Sequence, residues 1–133
     1  MSGPAMLRIA ALFNLAIGLA FLLGRAVIVP WAQLDAVSGS NVLITNLAAL
    51  LIASFGLFYW VISTDVARYR PMLLVGLVGK LAAVLAAAQF VWAAHGAQWR
   101  APALAGGDLV FVVLFYRLYI STGPARGAAG DGA

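Results

Sequence analysis

The sequence predicts an all-α, polytopic membrane protein whose four transmembrane helices form an antiparallel bundle. Of its 133 residues, 65% are hydrophobic and only 9% are charged, and the mean hydropathy is +1.03. About a quarter of the residues of a soluble domain are charged, so these charges are too few to cover a soluble surface. Four apolar runs of roughly 20 residues are each long enough to cross a hydrocarbon core of about 30 Å.

The first span is predicted at residues 7–29, before Pro30. A cleaved signal peptide is the alternative, because Arg8 would supply its positively charged region. The apolar run is long for a signal peptide, however, and it contains Asn14 and is followed by no clean cleavage site. A retained span is therefore the preferred interpretation.

The other three spans are predicted at 42–62, 72–94 and 103–122. The fourth begins near Pro102 or near Asp108, because Gly106-Gly107 is consistent with either a break or a weak stretch of helix. All five prolines fall at or outside the predicted ends, as expected of a residue that ends or kinks helices. The Gly/Ala-rich residues 123–133 are predicted to be disordered.

The arginines predict the orientation of the bundle. Five lie at one end: Arg8, Arg68, Arg70, Arg117 and Arg126. The other end has Arg25 and Arg100, offset by Asp35. Because cytoplasmic loops are rich in Lys and Arg, both termini and the 63–70 turn are expected in the cytoplasm. Aromatic belts are expected at the inner end (Tyr59, Trp60, Tyr69, Tyr116, Tyr119) and the outer end (Trp31, Trp92, Trp99).

Small and polar residues predict which helix faces meet, since close packing and hydrogen bonds drive helix association in lipid. The first three spans have such faces: Ala10, Asn14, Gly18 and Arg25; Asn46, Ala49, Ala53 and Gly56; and Gly76, Gly79, Ala83, Ala86, Ala87 and Ala94. These faces are expected to line a common interior. The fourth span is bulky and is expected to pack less closely.

Lys80 is the main candidate for a functional residue, because an ionisable side chain inside a span is costly. It lies roughly 12 Å from the inner end of the third span. Two structural interpretations compete: Lys80 extends to the inner headgroups, or it bonds Asn14 and backbone carbonyls. Asn14 lies at a similar depth, where it would either bridge helices or contact a ligand.

Four further polar residues project to the outer half of the bundle: Arg25, Asn46, Gln89 and Asp108. Arg25 and Asp108 are candidates for an ion pair that Asn46 or Gln89 completes, and this group is a candidate substrate site. Alternatively, Asp108 caps the fourth helix. At the inner end, Arg68 and Arg70 signal topology or contact an anionic headgroup or a partner protein.

Other chemistry has little support in the sequence. There is no cysteine, and His95 is the only histidine, which gives no ligand cluster for a metal or haem. No nucleophile–base motif or phosphate loop is present. The basic residues do not cluster as a nucleic-acid interface would. We therefore expect no cofactor and no nucleic-acid partner, and enzymatic activity is the third and least favoured class of function.

Four short motifs are similar to a known group of proteins. They are Asn-Leu-Ala-Ile-Gly in the first span, Gly-Leu-Phe-Tyr-Trp at the end of the second, Val-Gly-Lys in the third and Gly-Asp-Leu-Val-Phe in the fourth. With these motifs, the chain resembles the DoxX-like assemblage of small four-helix bacterial membrane proteins over most of residues 7–122. The resemblance implies a four-helix bundle and little about activity, since only some members of that assemblage are subunits or partners of larger membrane oxidoreductase systems. The small drug exporters are of similar size, but the chain lacks their intramembrane glutamate.

Two functions are consistent with these observations. The first is a non-catalytic accessory or structural subunit in a bacterial inner membrane, in contact with lipid and with a second copy or another membrane protein. The second is a binder or carrier of a small apolar or amphipathic molecule. Its polar contact would lie at the level of Asn14 and Lys80 or of Arg25 and Asp108. The absence of catalytic motifs favours the first.

Overall fold

Helices make up most of the computed structural model, which describes residues 2–93 and 99–123. The helices are α1 (Gly3–Leu23), α2 (Arg25–Trp31), α3 (Asn41–Thr64), α4 (Met72–Ala93) and α5 (Arg100–Ser121). No strand occurs among the described residues. By length and composition α1, α3, α4 and α5 can each cross a membrane. The predicted all-α bundle with four transmembrane helices is therefore confirmed, and the chain is an integral membrane protein.

The first span differs from its predicted bounds. The helix begins at Gly3 rather than at residue 7, and it breaks at Gly24, whose φ and ψ are −102° and 20°. Pro30, expected beyond the span, lies inside the short helix α2 that follows. Pro4 and Pro102 lie in the first turns of α1 and α5, where a missing N–H costs no intrahelical hydrogen bond.

The start of α5 agrees with the first of the two predicted positions, near Pro102, and not with the second. The helix begins at Arg100 and continues through Gly106 and Gly107 without a break. Asp108 is therefore in the third turn of the helix, about 12 Å from its start. Ala94, the last residue of the predicted third span, lies outside the described residues, as do His95 and residues 124–133 of the predicted tail.

The bundle consists of two antiparallel helix pairs, α1 with α3 and α4 with α5. Glycine allows α1 and α3 to approach closely: a Cβ at Gly18 would lie 2.7 Å from the carbonyl oxygen of Ala49. A Cβ at Gly56 of α3 would lie 2.9 Å from the carbonyl oxygen of Ala11 on α1. The small-residue faces predicted for these two helices therefore do pack together, as expected in lipid.

The two pairs meet in a core at the end of the bundle that contains the N-terminus. Its buried members are Met6, Leu7, Ala10, Ala11, Tyr59, Ile62, Leu73, Phe111 and Phe115. Although α5 supplies Phe111 and Phe115, these are its only buried residues, against six on α1, so the expectation that it packs less closely is confirmed. The expectation for α4 was only partly right, because Gly76 is buried whereas Ala86 is exposed. Bulky rings from α3 and α5, rather than another small face, fill the space beside Gly76.

Candidate functional site

A cavity of about 340 Å³ lies between the two helix pairs, on the side of the core away from the N-terminus. All four transmembrane helices line it. The lining residues are Phe13, Asn14, Ile17, Phe21, Leu51, Ile52, Phe55, Tyr59, Gly79, Lys80, Ala83, Ala101, Leu104, Ala105 and Asp108. Most of these side chains are apolar, and the charged and amide groups are confined to Asn14, Lys80 and Asp108. The cavity is therefore amphipathic.

Lys80 connects three helices at this site. Its side chain is 3% exposed, and its Nζ donates a hydrogen bond of 2.6 Å to Oδ1 of Asn14 on α1. It also donates to, and forms an ion pair with, the carboxylate of Asp108 on α5. The interpretation in which Lys80 extends to the headgroups was therefore wrong. A carboxylate within reach offers the ammonium a closer partner than the membrane surface does.

Aromatic rings surround the rest of the Lys80 ammonium. The ring centroids of Phe13, Tyr59 and Phe111 lie 5.5, 5.4 and 5.2 Å from Nζ. Ring faces attract a cation at such distances, more strongly where water is excluded. The charge of Lys80 is therefore balanced by one carboxylate and supported by an amide oxygen and three rings.

The predicted pairing of Asp108 with Arg25 was wrong. Asp108 contacts Lys80 because α5 begins at Arg100, which puts Asp108 in the third turn of the helix and also excludes a capping role for its carboxylate. Arg25 instead donates from Nη1 to Oδ1 of Asn46, across 3.4 Å. Neither Arg25, Asn46 nor Gln89 lines the cavity, and Gln89 is exposed on α4. The structure therefore brings Asp108, which was predicted at the level of Arg25, together with Asn14 and Lys80.

Two atoms of this group retain unused hydrogen-bonding capacity. Lysine only donates, so its contact with Asn14 fixes the amide oxygen toward Lys80 and leaves the Nδ2 donors directed elsewhere. Among residues 2–93 and 99–123, no group bonds Asn14 Nδ2 or the second carboxylate oxygen of Asp108, and neither atom is fully buried. Both side chains line the cavity. The polar end therefore offers one donor group and one acceptor.

Tyr59 is a functional candidate that the sequence analysis missed. Its assignment to the inner aromatic belt was wrong, since it is 1% exposed. Its hydroxyl donates to the Gly76 carbonyl at 3.3 Å, and its ring lies edge-on to Phe115 with centroids 4.9 Å apart. Helical periodicity could have found it, because Tyr59 follows Gly56 by three residues and so continues the small face of α3.

The turn between α3 and α4 positions the two predicted headgroup contacts differently. Asp65 Oδ1 accepts a 3.0 Å hydrogen bond from the backbone N–H of Arg68, whose side chain is left exposed. Arg70 is half-buried: its Nε donates to the Tyr119 carbonyl at 3.2 Å, and its guanidinium lies 4.1 Å from the ring centroid of Tyr119. Arg70 therefore ties this turn to the end of α5.

Comparisons of the chain with family models, with curated proteins and with solved structures find no match. The site must therefore be interpreted from its own geometry. The described residues contain no group of three or more His, Asp or Glu side chains that could hold a metal ion. What the arrangement can do is accept an amphipathic molecule, with polar contacts at one end and apolar contacts along its length.

Proposed function

We propose that the protein binds a small amphipathic molecule in the cavity between its helix pairs. The observation that carries this proposal is the position of the Asn14–Lys80–Asp108 group, at the wall of a cavity that is otherwise apolar. Ligand sites commonly combine an apolar lining with a few convergent polar groups and are found between the helices of bundles. A volume of about 340 Å³ suits a molecule of one ring or a short chain.

Helix packing alone gives no reason for a charged pair at this position. A buried ion pair is often no more stabilising than apolar side chains of similar volume. A charge inside a membrane is also costly, and such residues commonly mark ligand or ion pathways. In a binding role, the Asn14–Lys80–Asp108 group supplies hydrogen bonds to the polar end of a ligand.

The location proposed for this site follows from the arginines. With Arg8, Arg68 and Arg117 in the cytoplasm of a bacterium, the cavity lies in the outer half of the inner membrane. The accessory-subunit function is the alternative, and the DoxX-like resemblance stays a prediction. The cavity favours ligand binding over that alternative, because close packing between helices would fill such a cleft in a purely structural subunit.

The test is to fill the cavity and examine what the protein carries. Ala83 lines the cavity, whereas Ala86 on the same helix is exposed, so Ala83→Phe has Ala86→Phe as its matched control. Each protein is purified from its own host in mild detergent and weighed by native mass spectrometry. We expect a reproducible small additional mass on the wild type and on Ala86→Phe that is lost from Ala83→Phe.

Two results would count against ligand binding. One is an additional mass that persists in Ala83→Phe at wild-type occupancy, which would place the molecule outside the cavity. The other is a particle that carries no small molecule in any variant and contains other polypeptides, which would support the accessory-subunit function.

A further inference from the structure

We infer that the ligand of this cavity is a neutral, hydroxyl-bearing amphipath, an alcohol or a phenol, whose hydroxyl contacts both Asn14 and Asp108. The inference rests on the proposed function and specifies the chemical class of the molecule bound. Two independent observations carry it, the charge balance of the lining and the hydrogen-bonding capacity that its polar atoms have left.

The charge balance argues for an uncharged ligand. Lys80 and Asp108 carry the only formal charges among the lining side chains, and they are paired with each other. A carboxylate or ammonium ligand would bring a further charge with no counter-charge into an apolar, water-poor space. Such a charge is strongly disfavoured, whereas a neutral head leaves the ion pair intact.

The unused hydrogen-bonding capacity argues for a hydroxyl. Asn14 Nδ2 can only donate, and the second oxygen of an ionised Asp108 can only accept. A hydroxyl does both, since it has one O–H donor and two acceptor lone pairs. An ether or a ketone could accept from Asn14 but would leave the Asp108 oxygen without a donor.

The remaining lining determines how such a molecule lies. Away from the polar group the walls are apolar and continue along α1 to Phe21, along α3 to Leu51 and along α5 to Ala101. The hydroxyl therefore points toward the core of the bundle, and the hydrocarbon part extends away from the core. Of these three side chains, Leu51 alone is exposed.

The test compares four probes that share a pentylphenyl body and differ in the head. They are 4-pentylphenol, its methyl ether 4-pentylanisole, the anion 4-pentylbenzoate and 4-pentylbenzylamine, which is cationic at neutral pH. Binding to the wild type in lipid nanodiscs is measured by equilibrium dialysis, with empty nanodiscs as background. We expect 4-pentylphenol to bind at least tenfold more tightly than the ether, and neither charged probe to bind above background.

A pair of variants locates the hydroxyl. Asn14→Leu removes the donor from the cavity, and Asn46→Leu makes the same change on α3 outside the cavity. We expect Asn14→Leu to weaken 4-pentylphenol binding about tenfold and to weaken 4-pentylanisole binding as well, because an ether oxygen also accepts from Asn14 Nδ2. We expect Asn46→Leu to have the affinities of the wild type. The probe series on the wild type remains decisive if Asn14→Leu does not fold.

The contrary outcomes are separable. Equal affinities for the phenol and the ether would overturn the hydroxyl inference and leave the cavity as an apolar binding site. Tightest binding of the anion or the cation would overturn the argument from charge balance. If no probe binds above background, the proposed function fails along with the inference.

Discussion

The Lys80 ammonium on α4 and the Asp108 carboxylate on α5 are paired between the membrane-spanning helices, where Lys80 is 3% and Asp108 15% exposed. Removal of one partner would leave the other charge without compensation. We expect Asp108→Leu to destabilise the fold by about 3–5 kcal/mol. The free energy of unfolding is measured in mixed micelles titrated with a denaturing detergent.

The double variant Lys80→Met/Asp108→Leu removes both charges, and so distinguishes the loss of the ion pair from the effect of leaving one charge uncompensated. Apolar residues of similar volume often replace a buried ion pair without loss of stability, so we expect the double variant to regain most of the stability lost in Asp108→Leu. A double variant as unstable as the single variant would show that Lys80 is not the group that Asp108 compensates.

Gly18 is predicted to stabilise the contact between α1 and α3 because it has no side chain. A Cβ there would lie 2.7 to 2.9 Å from the backbone of Ala49 and from atoms of Ala53, whereas Gly106 has open space around it. We expect Gly18→Ala to cost about 1–3 kcal/mol, as overpacking does. Gly106→Ala is the matched control, and we expect it to lose no stability. Equal stability of the two variants in the same unfolding assay would contradict the close approach of α1 and α3 at Gly18.

Tyr59 is predicted to stabilise the junction between the helix pairs through its ring more than through its hydroxyl. Tyr59→Phe removes the 3.3 Å hydrogen bond to Gly76, at an expected cost of about 0.5–1.5 kcal/mol. Tyr59→Ala also removes the contact with Phe115 and should cost about 3–5 kcal/mol. The exposed Tyr116 supplies the control Tyr116→Phe, which should unfold as the wild type does.

The proposed orientation can be tested by labelling, because the chain has no cysteine. Single cysteines are introduced at three exposed positions, Ser2, Asp35 and Asp65, and intact cells are treated with a membrane-impermeant maleimide. We expect only the Asp35 variant to be labelled before lysis. Labelling of the Ser2 and Asp65 variants in intact cells, with Asp35 protected, would show the reverse topology.

The sequence was sufficient to predict the fold class because length and hydropathy alone decide whether a segment can cross a membrane. It was also sufficient for the contact between α1 and α3, where small residues recur along one face of each helix. The break at Gly24 was missed because this glycine was taken as part of a long apolar run, although glycine is common at the ends of helices.

The site was harder to predict because it depends on how helices are rotated and aligned with one another. Lys80 and Asn14 were recognised at a common depth, since depth follows from position in the chain. Asp108 was paired with Arg25 because both were counted to the outer half of the bundle, whereas its contact with Lys80 depends on how α4 and α5 are aligned with each other. Tyr59 was assigned to the membrane surface because its burial depends on the space that Gly76 leaves on another helix.

Photolabelling of the cavity tests the central claim most directly. A 4-alkylphenol with a diazirine in its chain is bound to the protein in nanodiscs and irradiated, and the labelled residues are identified by fragmentation of the intact chain in a mass spectrometer. We predict that label concentrates on cavity residues such as Phe21, Leu51 and Leu104, and that unlabelled 4-pentylphenol suppresses it. Label confined to lipid-facing residues such as Leu85 and Trp92, or unchanged by the competitor, would contradict a binding site between the helix pairs.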